Sequence, residues 1–454
     1  MVATVLDRID GEGLPRIDLW SPGDTSPPPA DVLARITQKP SAVSNDIEAI
    51  LNGIGSGTDL SEKDIVRLIQ ARGDDFNAVV QSANKLRDET NGNTVSFVVN
   101  RNINYTNICY FKCQFCAFSK GKLSENLRGR PYDLSGEEIQ RRVKEAWDRG
   151  GTEVCMQGGI HPEYTGQTYI DIVKTVKEAV PEMHVHAFSP LEVWQGAATS
   201  NHSLEGYLTE LKQAGLSTLP GTAAEILDDE VRSVICPDKI NTEQWLEVME
   251  TAHRVGFRST ATIMYGHVDQ PIHWARHLIR VRDLQKKTGG FTEFVPLPFV
   301  HMEAPMYLKG KARRGPTFRE AILVHAVARL ALHPHITNIQ ASWVKMGHEG
   351  VTAALNAGCN DLGGTLMNES ISRAAGTQHG QETSPDEMRS MIESAGRTAR
   401  QRSTLYDDAR ESDVERGSSA DVLTEIINTP AKKYERQRSH ELVRNDSVRV
   451  IPID

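Results

Sequence analysis

The sequence predicts an α/β fold, a (β/α)8 barrel of the TIM type, and two observations support this prediction. Short apolar segments with strand character alternate with amphipathic helical segments between residues 93 and 406, as in parallel βα folds. Eight such units fill this stretch, which is the number that one barrel needs. The predicted strands are 95–100, 153–157, 184–188, 218–219, 259–264, 293–297, 339–343 and 361–362, and the predicted helices include 135–149, 169–179, 204–214, 242–255, 271–287 and 319–332.

The segments outside the barrel divide the chain further. Residues 1–42 are rich in proline with little periodicity, which predicts a flexible arm or linker. Residues 43–92 have a helical pattern and are expected to form a cap on the end of the barrel. Residues 407–454 are of mixed charge, with one helical pattern near 420–427, and are expected to be a peripheral tail.

The composition limits the class of protein. Of the 454 residues, 39% are hydrophobic and 24% are charged, which is usual for a soluble globular protein. The net charge of -9 argues against a general role at nucleic acid or a membrane surface. No apolar run approaches the roughly 18 residues of a transmembrane helix, and no signal peptide is visible, so a cytoplasmic location is expected.

Cys109, Cys113 and Cys116 form a C-x3-C-x2-C motif directly after the first predicted strand. Three thiolates on one tight loop can hold three irons of a 4Fe–4S cluster and leave the fourth iron open to a small chelating ligand. Zinc is the alternative, but zinc sites usually have four ligands in two pairs, and no second pair follows in the sequence. The remaining cysteines stand singly and predict no disulfide framework: Cys155, Cys236 and Cys359.

Polar residues and glycines follow several predicted strands, where a barrel of this type places its site. Each of them also has a simpler interpretation as a turn, a helix cap or a satisfied core side chain. Together they predict a mouth suited to a substrate with many hydrogen-bonding groups. The candidates are Gln157, Gly158, Gly159, Glu192, Tyr265, His267, Ser342, Lys345, Asn360, Asp361 and Thr365.

The cysteine motif, with Phe115 before its last cysteine, resembles that of the radical S-adenosylmethionine enzymes. The resemblance implies that Cys109, Cys113 and Cys116 hold a 4Fe–4S cluster. It implies that S-adenosyl-L-methionine binds the open iron and is cleaved reductively to a 5′-deoxyadenosyl radical. Gly158 and Gly159 resemble the family's Gly-Gly motif, although Ile160 replaces the usual acidic residue. Together with Gln157 and Glu192, they are the expected cofactor-binding residues.

Across roughly residues 60–406 the chain resembles a narrower family, the 5-amino-6-(D-ribitylamino)uracil–L-tyrosine 4-hydroxyphenyl transferases. These supply one of the two radical activities of FO synthase, which makes the deazaflavin of coenzyme factor 420. Asp269 stands where the family has Glu. The matching phrases lie at residues 102–109, 116–118, 157–162, 219–226, 264–268, 340–345 and 360–366.

This resemblance implies a reaction, roles and partners. The Cα–Cβ bond of L-tyrosine breaks, 2-iminoacetate leaves, and the 4-hydroxybenzyl group joins 5-amino-6-(D-ribitylamino)uracil. An electron donor such as a ferredoxin or flavodoxin and a ring-closing radical enzyme, separate or fused, are the implied partners. Tyr265, His267 and Lys345 are the expected catalytic residues. The expected substrate contacts are Ser342, Asn360, Asp361 and Thr365.

Other functions remain open at this point. The aminofutalosine synthase and dehypoxanthine futalosine cyclase of menaquinone biosynthesis resemble the chain around the cysteines and Gln157, but the phrase at 220–225 favours the transferase. A tyrosine lyase that only breaks Cα–Cβ, and the ring-closing partner itself, are further radical enzymes. From another class, the chain could be a non-catalytic Fe–S or zinc protein.

Overall fold

The computed structural model describes residues 5–119, 130–426, 428 and 442–445. The strand pairs within its sheets are parallel. Strands β2 to β7 lie side by side in chain order in one sheet, and β8, β1 and β9 form a second sheet in that order. The strands are β1 (Thr94–Val98), β2 (Asn100–Asn102), β3 (Glu153–Met156), β4 (His184–Ala187), β5 (Thr218–Leu219), β6 (Arg258–Tyr265), β7 (Phe291–Pro298), β8 (Asp361–Gly364) and β9 (Thr398–Arg402).

The two sheets join into one ring. Strands β1 and β2 are two halves of one extended segment separated by Val99; the first half pairs with β8 and the second with β3. On the other side of the ring, single parallel bridges join Phe294 of β7 to Ile339, and Gln340 to Asp361 of β8. The ring therefore has eight parallel positions, and the predicted (β/α)8 barrel of the TIM type is confirmed.

Helices surround the ring, and all six that were predicted in the barrel occur with nearly the expected bounds. Their starts follow from capping side chains: Ser135 accepts a hydrogen bond from the Glu138 amide, and Thr317 forms a reciprocal pair with Glu320. No helix among the described residues combines the length and apolar character needed to cross a membrane. The helices are α1 (Ala30–Thr37), α2 (Asn45–Gly55), α3 (Glu62–Ile69), α4 (Asp74–Asn91), α5 (Gly136–Asp148), α6 (Gly166–Ala179), α7 (Pro190–Thr199), α8 (Leu204–Ala214), α9 (Asp229–Ile235), α10 (Thr242–Val255), α11 (Pro271–Thr288), α12 (Pro305–Leu308), α13 (Phe318–Leu332), α14 (Trp343–Leu355), α15 (Ile371–Ala375), α16 (Pro385–Ser394) and α17 (Glu411–Ser418).

Two strands differ from the prediction. The segment predicted as a strand at 339–343 is reduced to two bridged residues, because Ser342 already takes the N-cap position of α14. Strand β9 was not predicted, since its sequence is mostly polar and has no apolar run. It nevertheless pairs in register with β1, from Thr94 opposite Thr398 to Val98 opposite Arg402.

The predicted helical cap at 43–92 contains α2, α3 and α4. Helix α3 packs against α11 and α13, and α4 packs against α13. These helices therefore pack against the outer helical ring, and the expectation that they cover the end of the barrel stays a prediction. Helix α13 is buried almost all round as a consequence, since it lies between the barrel and this outer layer.

The proline-rich N-terminal segment lies against the barrel over much of its length, in contrast to the predicted flexible arm. The Trp20 side chain is 1% exposed, and its ring lies 5.1 Å from that of Phe318. Asp18 accepts a hydrogen bond from the Phe318 amide at 2.8 Å, and the Gly23 amide donates to the Lys345 carbonyl at 2.7 Å. Composition indicated mobility here, but one tryptophan and one helix-capping aspartate anchor the segment.

The C-terminal region is also anchored where the structure describes it. Helix α17 packs on the end of α5, and the Arg416 guanidinium lies 4.4 Å from the Trp147 ring centroid. The predicted helix at 420–427 is wrong for residues 420–426, because α17 ends at Ser418, and residue 427 lies outside the described residues. Further on, the backbone of Val443 exchanges hydrogen bonds with the Gln195 side chain at 2.8 and 3.1 Å.

Polar residues fill the amino end of the barrel, in what we call the amino-end network: Asp361, Arg402, Glu293, Tyr406, Glu153 and Thr404. Arg402 is 2% exposed and contacts both Asp361 oxygens, at 2.6 and 2.9 Å. Tyr406 donates to Glu293 at 2.9 Å, and Thr404 donates to Glu153 at 2.6 Å. The segment that continues from β9 therefore closes this end of the barrel.

Candidate functional site

A cavity of about 270 Å³ opens at the carboxyl end of the barrel. The segments that follow β2, β3, β4, β5 and β7 all contribute to its wall, together with the start of α14 and with α15. This is the end at which (β/α)8 barrels carry their chemistry. Of the residues predicted from sequence, the ones that line it are Cys109, Cys113, Cys116, Gln157, Gly158, Gly159, Glu192 and Lys345.

The cysteine loop is held by backbone hydrogen bonds from neighbouring segments. The Tyr110 amide donates to the Ile160 carbonyl at 2.8 Å, and the Gln114 amide donates to the Ile235 carbonyl at 2.8 Å. The Cys109 sulfur accepts from the Ile160 amide at 3.4 Å. The loop that follows β3 and the end of α9 therefore fix the positions of the thiols from two sides.

Burial raises the pKa of two of these thiols. The pKa of Cys109 rises to about 11, and that of Cys113 lies well above its ordinary value. In both cases loss of hydration is the main cause, because burial disfavours the thiolate. The thiols are therefore suited to a cationic metal centre, which would stabilise the thiolate form that binds metal.

The sulfur positions can be compared with those of a zinc site. A zinc ion with bonds of about 2.3 Å to sulfur draws its thiolates to within about 4 Å of one another. The three cysteines do not form a set of ligand atoms within 4.8 Å of one another; among the described residues only Asp228, Glu230 and His273 do so. At least one pair of the three sulfur atoms is therefore more than 4.8 Å apart. Such a spacing is compatible with an iron–sulfur cluster, in which each cysteine binds a different iron.

Gly158 and Gly159 let two loops pack against each other. A Cβ atom on Gly159 would lie 2.1 Å from the Ile108 carbonyl oxygen, and one on Gly158 would lie 2.4 Å from the Tyr105 ring. The Gly159 amide donates to the Thr106 carbonyl at 2.9 Å. The glycines are required for this close approach, and they place their backbone on the cavity wall beside the cysteines.

Glu192 has a structural role in this site. It is 1% exposed, and it accepts from the Gly158 amide at 3.1 Å and from the Ser189 amide at 2.7 Å, as well as from the hydroxyls of Ser189 and Tyr105. Its burial raises the pKa of the carboxyl group. Glu192 therefore caps α7 and holds the glycine loop in place, and its expected role in cofactor binding stays a prediction.

Lys345 reaches the cavity from the first turn of α14. Its ammonium group donates to the Ser372 hydroxyl at 3.1 Å. Burial lowers the pKa of Lys345, and the nearby Glu369 carboxylate opposes this effect. A cationic group with one neutral partner on a cavity wall can bind an anionic group of a ligand.

Four other predicted residues at the carboxyl end lie behind the cavity wall. The Tyr265 ring packs against that of Trp274, with the centroids 5.4 Å apart. His267 is fully buried, and its ring accepts from the Val268 amide at 2.8 Å and contacts the Met264 carbonyl at 3.1 Å. The remaining two are not wall residues either: Ser342 starts α14, and Thr365 binds the backbone of Asn100.

Asn360 and Asp361 lie at the other end of the barrel, so their prediction as substrate contacts is wrong. Asp361 is the first residue of β8 and belongs to the amino-end network. Asn360 accepts from Arg329 at 2.6 Å and from the Ile339 amide at 2.9 Å. The strand runs from Asp361 to Gly364, so Asn360 precedes it, Asp361 begins it, and neither residue follows its carboxyl end.

Two charged cavity residues were missed by the sequence prediction. Lys239 and Glu225 both line the cavity, and their side chains form an ion pair with 2.8 Å between Nζ and Oε1. Glu225 lies in one of the strand-end phrases, which was a usable signal. Lys239 lies in a loop that follows α9, where the sequence has no pattern that points to the barrel mouth.

Comparison with protein families agrees with this site. The model for the Radical SAM superfamily matches residues 103–280, which include the cysteine loop and the glycine loop. The model for the CofH/MqnC C-terminal region matches residues 288–414. Together the two matches cover most of the barrel.

Curated relatives extend the match. The FO synthases of Streptomyces avermitilis and Mycobacterium leprae are 50% and 54% identical over 81% and 76% of this chain. The chain spans only 42% and 40% of their lengths. The 5-amino-6-(D-ribitylamino)uracil–L-tyrosine 4-hydroxyphenyl transferase of Methanopyrus kandleri is 46% identical over 79% of this chain and 94% of its own length.

Solved structures support the fold. Methylornithine synthase (PylB) has a TM-score of 0.59 at 19% identity, covering 81% of this chain and 99% of that one. The [FeFe]-hydrogenase maturase HydG has a TM-score of 0.61 at 16% identity, covering 83% of this chain and 80% of that one. Since the relative from M. kandleri matches over nearly its whole length, the chain belongs to the radical SAM superfamily and, within it, to the family of the 5-amino-6-(D-ribitylamino)uracil–L-tyrosine 4-hydroxyphenyl transferase.

Proposed function

We propose that this chain breaks the Cα–Cβ bond of L-tyrosine and joins the 4-hydroxybenzyl group to C5 of 5-amino-6-(D-ribitylamino)uracil, with release of 2-iminoacetate. The observation that carries the proposal is the match to the M. kandleri transferase, which spans nearly all of that protein. The cavity supports it, because three thiols, a glycine loop and a lysine share one barrel mouth. The reaction would be one step in making a deazaflavin.

The cofactors follow from the residues that face the cavity. Cys109, Cys113 and Cys116 would hold a 4Fe–4S cluster, and the backbone at Gly158 and Gly159 would lie beside S-adenosyl-L-methionine. When bound, the pair would supply a 5′-deoxyadenosyl radical by one-electron cleavage of the sulfonium. A ferredoxin or flavodoxin is the kind of electron donor required, and a ring-closing radical enzyme would use the product.

The protein's own contribution is to position the substrates and exclude water. Lys345 would hold the carboxylate of the amino acid substrate, because its ammonium group has one hydroxyl partner and no ion-pair partner within the part of the chain that the structure describes. Met264, Leu297 and Phe299 line the cavity with apolar surface, which keeps solvent from reactive species. Tyr265 and His267 are not proposed as catalytic residues, since neither reaches the cavity.

The test uses anaerobically reconstituted protein with dithionite, S-adenosyl-L-methionine and L-tyrosine, with and without the ribitylaminouracil, followed by mass spectrometry. The uracil–hydroxybenzyl adduct is expected only with both substrates, together with 5′-deoxyadenosine. Lys345→Met should lower adduct formation by about 10²-fold, the usual cost of losing substrate orientation. Lys174→Met, a surface change on α6, is the matched control and should have no effect.

Other outcomes would contradict the proposal in different ways. 5′-Deoxyadenosine without adduct would indicate a tyrosine lyase or a menaquinone-pathway enzyme; the second matched family region also carries the name MqnC. Absence of 5′-deoxyadenosine from wild-type protein that holds the cluster would contradict the radical reaction itself. Cys113→Ala should abolish both the cluster and the product.

A further inference from the structure

The ion pair between Glu225 and Lys239 is a buried pair of charges beside the cysteine loop. The Lys239 side chain is 7% exposed and the Glu225 side chain is 13% exposed. Both residues line the cavity that contains the three thiols. Their charges act there with little screening by water.

Lys239 lies close to the thiols. Its ammonium nitrogen is 5.6 Å from the centroid of the Phe115 ring, and Phe115 directly precedes Cys116. The charge of Lys239 also lowers the pKa of the Cys113 thiol, against the larger effect of burial, which raises it. The positive end of the pair is therefore directed at the cysteine loop.

Both partners are fixed in position. Glu225 has φ of 46°, an uncommon conformation for a residue with a side chain, and its carbonyl accepts from the Met264 amide of β6 at 2.8 Å. The Lys239 amide donates to the Cys236 carbonyl at 3.1 Å, and the Asn445 side chain donates to the Lys239 carbonyl at 2.7 Å. Strained backbone that is held in this way is common at functional sites.

We propose that Lys239 and Glu225 set the reduction potential of the iron–sulfur cluster held by the cysteine loop. On reduction the cluster accepts one electron from a low-potential donor, and no bond is formed or broken. A buried ammonium group stabilises the more negative, reduced form, whereas a buried carboxylate opposes it. The inference rests on the cluster of the proposed function and not on the identity of the substrates.

The test is an anaerobic potentiometric titration of the reconstituted protein, followed by the EPR signal of the reduced cluster. Glu225→Gln keeps the hydrogen bond to Lys239 but removes the negative charge, so the midpoint potential should become more positive. Lys239→Met should make it more negative, and Lys239→Arg should leave it close to wild type. Lys174→Met removes an exposed lysine on α6, outside the cavity wall, and should cause no shift.

Two results would overturn the inference. In the first, the midpoint potential of Glu225→Gln equals that of the wild type; in the second, Glu225→Gln and Lys239→Met shift the midpoint potential in the same direction. If Lys239→Met takes up no iron, the midpoint potential of Glu225→Gln alone tests the inference. This variant keeps the Lys239 ammonium group and a hydrogen-bonding side chain beside it. Failure of wild-type protein to bind a cluster would overturn this inference together with the proposed cofactor. Unshifted potentials with normal adduct formation would overturn the inference and leave the proposed function intact.

Discussion

The two ends of the barrel are both polar, but their polar groups are bonded in different ways. At the amino end, Arg402 and Asp361 satisfy each other through two hydrogen bonds, and Ser96 adds a third to Asp361. At the carboxyl end, Lys345 has one hydroxyl partner and faces a cavity. Buried polar groups normally form their hydrogen bonds within the protein. A polar group beside a cavity that can still form further hydrogen bonds is therefore the better indication of a binding site.

The largest expected effect tests the amino end as a structural element. Arg402→Met leaves the Asp361 carboxylate buried without its partner, which typically costs about 3–5 kcal/mol in the free energy of unfolding. Chemical denaturation of the purified protein measures the loss. Arg400→Met is the matched control, because Arg400 lies on the same strand and pairs with Asp408, which is 83% exposed. Equal losses of unfolding free energy in the two variants would contradict the structural role of the buried pair at the amino end.

The second prediction tests the carboxyl end as a site of function. Gly159→Ala would bring a methyl group against the Ile108 carbonyl and displace the cysteine loop. We expect turnover to fall by about 10²-fold, the usual result of displacing reacting groups by about 1 Å. We also expect the free energy of unfolding to fall by about 1–3 kcal/mol, because the clash is with backbone atoms. Gly55→Ala is the control, since a Cβ there meets nothing within 4 Å. A variant with normal turnover would show that the loop tolerates the shift.

The smallest effect is the pH dependence of the amino end. Burial lowers the pKa of His184 to about 4, so its neutral form is favoured in the folded state. Between pH 6.5 and 4 the unfolded chain binds a proton at His184 that the folded protein does not bind. The free energy of unfolding therefore has its full value above the ordinary pKa of 6.5 and falls as the pH is lowered toward 4. We expect a loss of about 1 kcal/mol between pH 6.5 and 5, measured by denaturation. His184→Gln should lose less over the same range; an identical pH profile would contradict the assignment.

Much of the site was predictable where the chemistry is local in sequence. The three cysteines share one loop, and the two glycines directly follow a strand, so spacing alone brings them to the barrel mouth. Lys345 was placed correctly for the same reason. Short strands limit this approach: the sequence predicts a strand that begins at Asp361, but β8 has only four residues, and its amino end and its carboxyl end are not separated by the sequence pattern.

What the sequence could not provide depends on contacts between distant segments. Lys239 reaches the cavity because Gln114 bonds to Ile235, which brings the loop after α9 beside the cysteine loop. Trp20 and Asp18 anchor the N-terminal segment only because Phe318 starts a helix where they lie. Tyr265 belongs to the right strand end, but its ring faces the helical layer and not the cavity. The positions of these residues depend on side-chain direction and on packing between segments that are distant in sequence.

The position of β1 has a consequence for how the chain folds as it is synthesised. Among the nine described strands, β1 is made first, yet its two neighbours, β8 and β9, are made last. Pairings between such distant segments give a high contact order and slow closure. Until residue 402 has emerged, β1 carries open edges that can pair with other chains. Truncation before β9 should therefore promote aggregation even though every thiol of the cysteine loop is retained.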